Sequence, residues 1–348
     1  MNYRIIFIVI VLVACGAFAA EEAKLIHELK PLSVRGVNYY PRDTPWSGLW
    51  TKTTPEVWEH DMALAASLGV NTIRTFIQFE PHVEQAGLMQ RDGQLTSAYL
   101  DKIECLLAAA WRHQIRLIFC FEFDPRWLTA PGAAAMWKRA LSVLVTAHRT
   151  DGRVLLWDLM NEPDDDAKWT VGTRAYLRDA LPFIKRLDSN HRTTVGITWR
   201  INRLAECGLP NVLQYHEYCP KTELFEKGPT RVIHSIVNQR QVGGARPVLI
   251  GEFGQSTARD PQHGAEELLC GKIGNDPGTE AEQVRLYEIV LAAAQQERIA
   301  GVLPWCLHDY PINNPNESYF GLVRADGSLK PAAIRLQATF AKWREDIR

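Results

Sequence analysis

The chain has 348 residues, of which 46% are hydrophobic and 23% are charged, a composition typical of a soluble globular enzyme. Its formal net charge is −1, so charge gives no reason to expect nucleic acid or an acidic membrane as the main partner. A chain this long can form a large core, so its fold need not depend on metals or disulfides. The length suggests two domains, but an α/β barrel commonly forms a single domain from about 250 or more residues.

The N-terminal segment has the three parts of an export signal. Arg4 provides a basic start, residues 5–13 form an apolar run, and small residues follow up to Ala20. The run is too short to predict a membrane span. We therefore predict a signal peptide over residues 1–20, followed by a single mature domain over residues 21–348.

Two cleavage sites compete within this signal. Ala17-Phe18-Ala19 fits ordinary cleavage before Ala20, whereas the run from Leu12 to Cys15 resembles a bacterial lipobox. In the second, slightly favoured interpretation, Cys15 is lipidated and anchors the protein to a membrane face without a spanning helix. Otherwise Cys15 is one more small residue of a discarded signal. Both interpretations predict export, as a periplasmic or cell-surface lipoprotein or as a secreted protein.

The other cysteines do not predict a metal site. Export permits disulfides, but six cysteines allow too many pairings for the sequence to choose among them. No Cys-x-x-Cys pair or His/Cys cluster has zinc spacing, so we expect no metal. These cysteines are Cys105, Cys120, Cys207, Cys219, Cys270 and Cys306.

Short apolar runs alternate with amphipathic stretches along the mature chain. The runs are rich in Val, Ile, Leu and Phe and lack strict alternation, which is typical of parallel strands buried on both faces. The predicted strands are Ser33–Tyr39, Asn71–Ile77, Arg116–Phe121, Val154–Met160, Thr193–Thr198, Val212–His216, Pro247–Gly251 and Gly301–Trp305.

Helical patterns fill the gaps between these strands. Thr54 followed by Pro55 predicts a helix start, and Gly69 predicts its end. Thr279 with Glu282 forms a capping box that opens another helix. Further helices are predicted at 100–111, 134–148, 170–188, 230–240 and 332–345. Since the units repeat eight times without a linker, we predict an α/β fold consisting of one (β/α)8 TIM barrel, with its active site at the C-terminal ends of the strands.

Two glutamates stand where predicted strands end. Asn161-Glu162-Pro163 follows the fourth strand, and Gly251-Glu252-Phe253 ends the seventh. Across the mouth of a barrel, two such carboxylates can flank one glycosidic bond, and a retaining mechanism needs them roughly 5–5.5 Å apart. One must be protonated to act as acid, and a nearby ionised carboxylate is expected to raise its pKa.

These motifs resemble the signature of the clan A glycoside hydrolases, most closely family 5, the cellulase and β-mannanase group. Four further segments resemble motifs of that family in the expected order, and together they cover most of the mature chain. The segments are 35–38 with Asn38, 69–74 with Arg74, His216 with Tyr218, and Trp305.

The resemblance assigns a role to each matching residue. It implies that Glu162 is the acid/base and Glu252 the nucleophile. Arg74 and Tyr218 are then expected to keep Glu252 ionised and correctly aimed. By the same resemblance, Asn161 bonds the sugar 2-hydroxyl, His216 belongs to the site, and Trp305 stacks on the sugar at the cleaved bond.

Some expected substrate contacts depend on the loops. Many family members carry a His near the end of the third strand, where this chain has Glu122 and Asp124. Asp309, in a long loop at 307–318, is equally consistent with a subsite residue and a turn residue.

Seven aromatic residues on predicted mouth loops favour an elongated glycan groove, although each alone could serve packing. They are Tyr39, Tyr40, Trp46, Trp50, Trp127, Trp199 and Tyr310.

The sequence thus predicts a monomeric enzyme that cleaves a β-linked polysaccharide or oligosaccharide with retention and without a cofactor. A β-1,4-glucan or a β-mannan is the favoured substrate, and the barrel is the catalytic domain. One alternative is an exo-β-mannosidase or a transglycosylase of the same clan. The other is a catalytically silent glycan-binding lipoprotein, which should have lost a catalytic glutamate, yet both are present.

Overall fold

A computed structural model describes residues 29–79, 84–260, 277–312 and 314–346. The predicted signal peptide, Cys15 and Cys270 lie outside the described residues, so the expectations attached to them stay predictions. Within the described part of the chain, no helix is long and apolar enough to cross a membrane.

Eight parallel strands close into a barrel in sequence order, which confirms the predicted fold class. β1 pairs with β2 on one side and with β8 on the other. The longest ladder joins β2 to β3, from Thr72 opposite Arg116 to Phe79 opposite Phe123. The strands are β1 Val34–Asn38, β2 Thr72–Phe79, β3 Arg116–Phe123, β4 Val154–Asn161, β5 Arg192–Ile197, β6 Leu213–His216, β7 Val248–Glu252 and β8 Gly301–Val302.

Helices surround the barrel where the sequence predicts them. The helix that starts at Pro55 ends at Ser67, and the capping box of Thr279 and Glu282 forms as expected. The long helices are Pro55–Ser67, Ser97–Arg112, Ala133–His148, Val171–Leu187, Pro229–Gly243, Glu280–Gln296 and Pro331–Asp346. The sequence analysis missed several shorter helices: Gly48–Thr51, Pro125–Leu128, Ile201–Cys207, Lys221–Lys227 and Pro315–Ser318. These short helices lie in loops, where few residues carry the periodic signal.

Apolar side chains fill the inside of the barrel below its mouth. Val34, Ile118, Leu156 and Leu249 come from strands on different sides of the barrel and pack into one buried cluster. They precede the polar residues that end the same strands, so the packed interior supports a polar floor at the C-terminal ends. The five described cysteines are free thiols, and none of them forms a disulfide.

Candidate active site

Arg74 on β2 organises the floor of the site. Its side chain is fully buried, with Nε 2.8 Å from Oδ2 of Asp158 and Nη1 2.6 Å from Oε1 of Glu252. Nη1 also donates to Oδ1 of Asn38, and Nη2 donates to Oδ1 of Asn161, at 2.9 and 2.8 Å. A buried guanidinium needs such partners, and its planar fork fixes their relative positions.

Glu252, the last residue of β7, is held from two sides. Arg74 bonds Oε1, and the hydroxyl of Tyr218 donates to Oε2 at 3.2 Å. Nδ1 of His216 lies 3.6 Å from the same Oε2. The carboxylate is therefore aimed by two hydrogen bonds and lies beside a cation, as a nucleophile requires.

Glu162 directly follows β4 in an unusual backbone conformation. Its φ of +49° is in the left-handed region, which non-glycine residues seldom occupy. Its backbone N–H donates to the carbonyl of Gly196 on β5 at 2.6 Å, which holds this conformation. Such local strain is common at functional sites. Nδ1 of His216 lies 2.7 Å from Oε1 of Glu162.

The two glutamates converge over one gap. One carboxylate oxygen from each, together with a ring nitrogen of His216, lie within 4.8 Å of one another. This upper limit lies below the roughly 6.5–9.5 Å of inverting enzymes and is compatible with the roughly 5–5.5 Å that double displacement at a sugar requires.

The pKa of Glu162 departs from the sequence-based expectation. Burial raises this pKa, but the hydrogen bond and charge of His216 outweigh burial, and with Lys168 and Arg74 they hold it at about 2. The expectation of a raised pKa is therefore wrong. The cause is His216, a neighbour on a different strand whose hydrogen bond and charge favour the ionised carboxylate.

A cavity of about 710 Å³ opens above the two glutamates. Of the predicted site residues, it brings together Glu122, Asn161, Glu162, His216, Tyr218, Glu252 and Trp305. Its other lining residues are Tyr40, Trp46, Phe76, Asp165, Asp166, Thr198, Trp199, Arg200, Glu317 and Phe320. A concave space with aromatic walls and convergent carboxyl groups suits a sugar.

Aromatic rings form the wall above β1 and β2. Tyr40 stacks between Trp46 and Phe76, with ring centroids 5.4 and 5.0 Å apart. Trp305 meets Tyr40 edge-on at 6.2 Å, and its Nε1 donates to Oε1 of Glu317 at 3.0 Å. The Trp305 ring is thus fixed from two directions.

Two further carboxyl groups lie in this part of the cavity without an ion-pair partner among the described residues. Glu122 on β3 accepts weak hydrogen bonds from Gln78 and Tyr40, and burial raises its pKa. Burial likewise raises the pKa of Glu317. Both groups can exchange hydrogen bonds with sugar hydroxyls.

A model of the family described as Cellulase (glycosyl hydrolase family 5) matches residues 29–298. The chain belongs to glycosyl hydrolase family 5.

A curated relative of this family 5 chain matches it over only part of its length. Mannan endo-1,4-beta-mannosidase 3 of Oryza sativa subsp. japonica is 28% identical over 169 residues, which is 39% of this chain and 36% of that protein. The chain thus spans about a third of the length of this curated relative.

Solved structures support the fold. The exo-beta-1,4-mannosidase Op5Man5 from Opitutaceae bacterium strain TAV5 has a TM-score of 0.68 at 19% identity, covering 91% of this chain and 60% of that one. A GH5_18 enzyme variant from Streptomyces cattleya, in complex with Manb1-4GlcNAc, has a TM-score of 0.65 at 17% identity. It covers 89% of this chain and 80% of that one.

Three predicted residues of the family 5 site do not line the cavity, and one of them is Arg74 in the floor below it. Asn38 is fully buried and donates to the carbonyls of Gly251 and Leu303, so it supports the floor. Asp309 lies 2.7 Å from Nζ of Lys330 and accepts from the backbone N–H of Gly321. The subsite alternative for Asp309 is therefore wrong, because its carboxylate is committed to a buried ion pair that anchors the loop.

The seven aromatic residues predicted on mouth loops fall into two groups, those that line the cavity and those that do not. Tyr40, Trp46 and Trp199 line the cavity. The other four do not line it. Three of them are buried in the core: Tyr39, Trp50 and Tyr310. The fourth, Trp127, lies at a separate surface pocket.

Sequence reasoning missed two residues that shape the site. Asp158, in the middle of β4, is fully buried and accepts from Arg74, Gln214 and the backbone of Gly196. An aspartate within an apolar strand was the available signal. No sequence signal indicated Glu317, because this residue lies on a short helix within a loop.

Proposed function

We propose that this chain is a retaining β-glycosidase with Glu162 as acid/base and Glu252 as nucleophile. The observation that carries the proposal is the convergence of these carboxyl groups, from β4 and β7, to within 4.8 Å in the aromatic-walled cavity. Family membership supports the same chemistry. The reaction needs no cofactor.

In the first step, Glu252 attacks the anomeric carbon and forms a covalent bond to the sugar. The bond from that carbon to the leaving oxygen breaks, and Glu162 supplies the proton that this oxygen takes up. Arg74 and Tyr218 orient the attacking carboxylate through the bonds described above. Since Oδ1 of Asn161 accepts from Arg74, its amide N–H groups remain to donate to the sugar 2-hydroxyl.

In the second step, Glu162 takes a proton from water, and the resulting nucleophile attacks the same anomeric carbon. The bond to Glu252 breaks, and the sugar leaves with its original configuration. Trp305 supports the sugar ring throughout, because its indole is fixed by Glu317 and Tyr40.

The first step needs Glu162 protonated, whereas His216 lowers the pKa of this carboxyl group to about 2, which keeps it ionised at neutral pH. A bound sugar covers the exposed quarter of this side chain and excludes water, which raises the pKa. Substrate binding therefore recruits the catalytic proton. We expect net proton uptake when manno-oligosaccharide binds the Glu252→Gln variant near pH 6.

Calorimetric titration in two buffers with different ionisation enthalpies measures this uptake. The double variant Glu162→Gln, Glu252→Gln is the matched control and should bind with the same enthalpy in both buffers. Equal enthalpies for the single variant would contradict recruitment of the proton by substrate.

We further propose that the substrate carries β-1,4-mannosidic bonds. The named relatives are a mannan endo-1,4-beta-mannosidase and an exo-beta-1,4-mannosidase, and one similar structure holds Manb1-4GlcNAc. These names support mannose over glucose as the glycone. They include both endo-acting and exo-acting enzymes, so the products must be measured.

A panel of β-mannans, β-glucans and their oligosaccharides tests this function. We expect hydrolysis of the mannan series, with the β-anomer of the product appearing first by proton NMR. Monosaccharide release indicates exo action, and internal fragments indicate endo action. First appearance of the α-anomer would refute retention, and binding without cleavage of any member would favour a silent glycan-binding protein.

A further inference from the structure

The pairing of β4 with β5 becomes irregular just before Glu162. The register of this ladder shifts between Asp158 and Asn161, so regular hydrogen bonding between the two strands does not continue up to the acid. Irregularities of this kind commonly turn a side chain in a new direction. The φ of +49° at Glu162 is a conformation that a residue with a side chain keeps only where its surroundings hold it. The strand pairing alone therefore does not fix the position of this carboxyl group.

Asp164, two residues after Glu162, is fully buried, and its carboxylate accepts four hydrogen bonds from the segment that follows β5. The backbone N–H and the hydroxyl of Thr198 donate at 2.8 and 2.6 Å. The backbone N–H groups of Trp199 and Arg200 donate at 3.2 and 2.9 Å. A carboxylate offers only acceptors, so its two oxygens suit a set of partners that are all donors. The side chain of Asp164 thus joins the loop after β4 to the loop after β5.

The main chain of Asp164 is held as well. Its carbonyl oxygen accepts from Nη1 of Arg203 at 2.8 Å and from Nη1 of Arg200 at 3.2 Å. Both guanidinium groups also pair with the carboxylate of Asp166, at 2.6 and 2.7 Å. Because Asp164 is bonded through both its side chain and its backbone, it has little freedom to rotate.

These contacts reach the acid through a short stretch of chain. Only Pro163 separates Asp164 from Glu162, and the ring of a proline restricts its own φ. The backbone N–H of Asp165 donates to the carbonyl of Glu162 at 3.3 Å, which closes the turn. The backbone N–H of Glu162 itself donates to Gly196 on β5. The backbone of Glu162 is therefore held from both sides.

We propose that Asp164 is a positioning residue that holds Glu162 in its strained conformation and thereby aims the acid/base at the glycosidic oxygen. This proposal rests on the hydrolase function proposed above. Without Asp164, Glu162 can relax to a negative φ, which turns its carboxyl group away from Nδ1 of His216 and from the cleaved bond. Asp164 does not line the cavity, so it acts on the reaction only through the residues that it holds.

Leaving groups that differ in acidity test this role. The probes are the phenyl and 4-nitrophenyl β-mannosides, or the same pair of whichever sugar the panel above shows to be cleaved. The phenyl glycoside depends more on protonation of its leaving oxygen. Its kcat/KM relative to that of the nitrophenyl glycoside should fall about tenfold in Asp164→Asn, a part of the roughly 10²- to 10⁴-fold that general acid catalysis contributes. The asparagine carries an N–H donor in place of one oxygen, so at least one donor of residues 198–200 loses its acceptor.

Azide provides a second readout in the same variant. A displaced Glu162 activates water poorly in the second step, whereas azide attacks the glycosyl-enzyme without losing a proton. Added azide should therefore accelerate turnover of the nitrophenyl glycoside by Asp164→Asn and give a glycosyl azide of retained configuration. A general loss of folded protein would lower the rates of both glycosides equally and give no azide product.

Asp188→Asn is the matched control. Asp188 is buried and precedes β5, at the opposite end of the barrel from the site. Its carboxylate accepts from the backbone N–H groups of Asn190 and His191 and from Nε1 of Trp157, and it lies 2.7 Å from Nδ1 of His191. This variant should keep the wild-type ratio of the two glycosides and form no azide product. Equal falls of the ratio in both variants, or an unchanged ratio in Asp164→Asn, would overturn the proposal.

Thr198→Val is the second variant, for use if Asp164→Asn does not fold. Valine keeps the shape of the side chain and removes only the hydroxyl that donates to Asp164 at 2.6 Å. The ratio should fall about two- to threefold, again with a retained azide product. A wild-type ratio without azide product in this variant would then overturn the proposal.

The two proposals can fail separately. Cleavage of both aryl glycosides with an unchanged ratio overturns the role of Asp164 and leaves the hydrolase function intact. If no glycoside is cleaved, the hydrolase function fails, and crystal structures of the wild type and of the folded variant decide the role of Asp164. A negative φ at Glu162 in the variant alone supports this role, and the same positive φ in both proteins overturns it.

Discussion

Glu252→Ala is expected to lower kcat by at least about a thousandfold, and added azide should restore part of the activity. The loss follows because no other described carboxylate is held by both Arg74 and Tyr218. Azide can enter the space left by the side chain and attack the anomeric carbon in its place. The product should be a glycosyl azide of inverted configuration, which NMR identifies.

Glu162→Ala provides the matched comparison. Its nucleophile is intact, so azide should react with the glycosyl-enzyme and give a glycosyl azide of retained configuration. Activated aryl glycosides should lose less activity in this variant than natural glycans, because a good leaving group needs little protonation. Unchanged turnover in Glu252→Ala would refute the nucleophile assignment, and retained azide from that variant would reverse the two roles.

The barrel and its two glutamates are predictable because their signals are local. An apolar run such as Val154–Met160 shows a strand buried on both faces, and Glu162 follows where that run ends. The order of the strands then follows from the closure of the barrel. Arg74 was predictable only through a family motif, since an arginine in an apolar strand does not reveal its partners.

The direction of the pKa shift of Glu162 could not be predicted from the sequence. Burial and Glu252 both favour a protonated Glu162, and the sequence indicates both effects. The opposing effect comes from His216, whose Nδ1 is placed 2.7 Å away by the β6 register. Opposing effects decide such a pKa, so the direction of its shift depends on distances that a sequence does not contain.

Other residues of the site lie in loops, where the sequence carries no periodic signal. Glu317 lies on a four-residue helix, and its bond to Trp305 joins segments whose conformations the pattern does not specify. The helix Lys221–Lys227 was not predicted either, because seven residues are too few to show a clear helical period.

Arg74 is the positioning residue on which both the fold and the site depend. It is fully buried and lies between Asp158 and Glu252, so its charge compensates two carboxylates. Removing one partner of such a buried pair leaves a charge without compensation, which costs about 3–5 kcal/mol. We expect Arg74→Met to lower the free energy of unfolding by about this amount and to abolish turnover, as measured by urea denaturation and by activity at a temperature where the variant is folded. Arg112→Met is the control, because Arg112 pairs with Glu59 at the surface, where such pairs contribute about 1 kcal/mol or less.

A second substitution separates the structural role of Arg74 from its role at the nucleophile. In the double variant Arg74→Met, Asp158→Asn, the asparagine carries no charge and keeps one acceptor oxygen for the Gly196 N–H, while its amide N–H group can donate to Oε1 of a flipped Gln214 side chain. Stability should therefore recover in part relative to Arg74→Met. Turnover should not recover, because Glu252 still lacks the cation that orients it and balances its charge. Recovery of both quantities together would mean that Arg74 acts only through the fold. Recovery of neither would mean that Asp158 is not the carboxylate whose lost compensation destabilises the barrel.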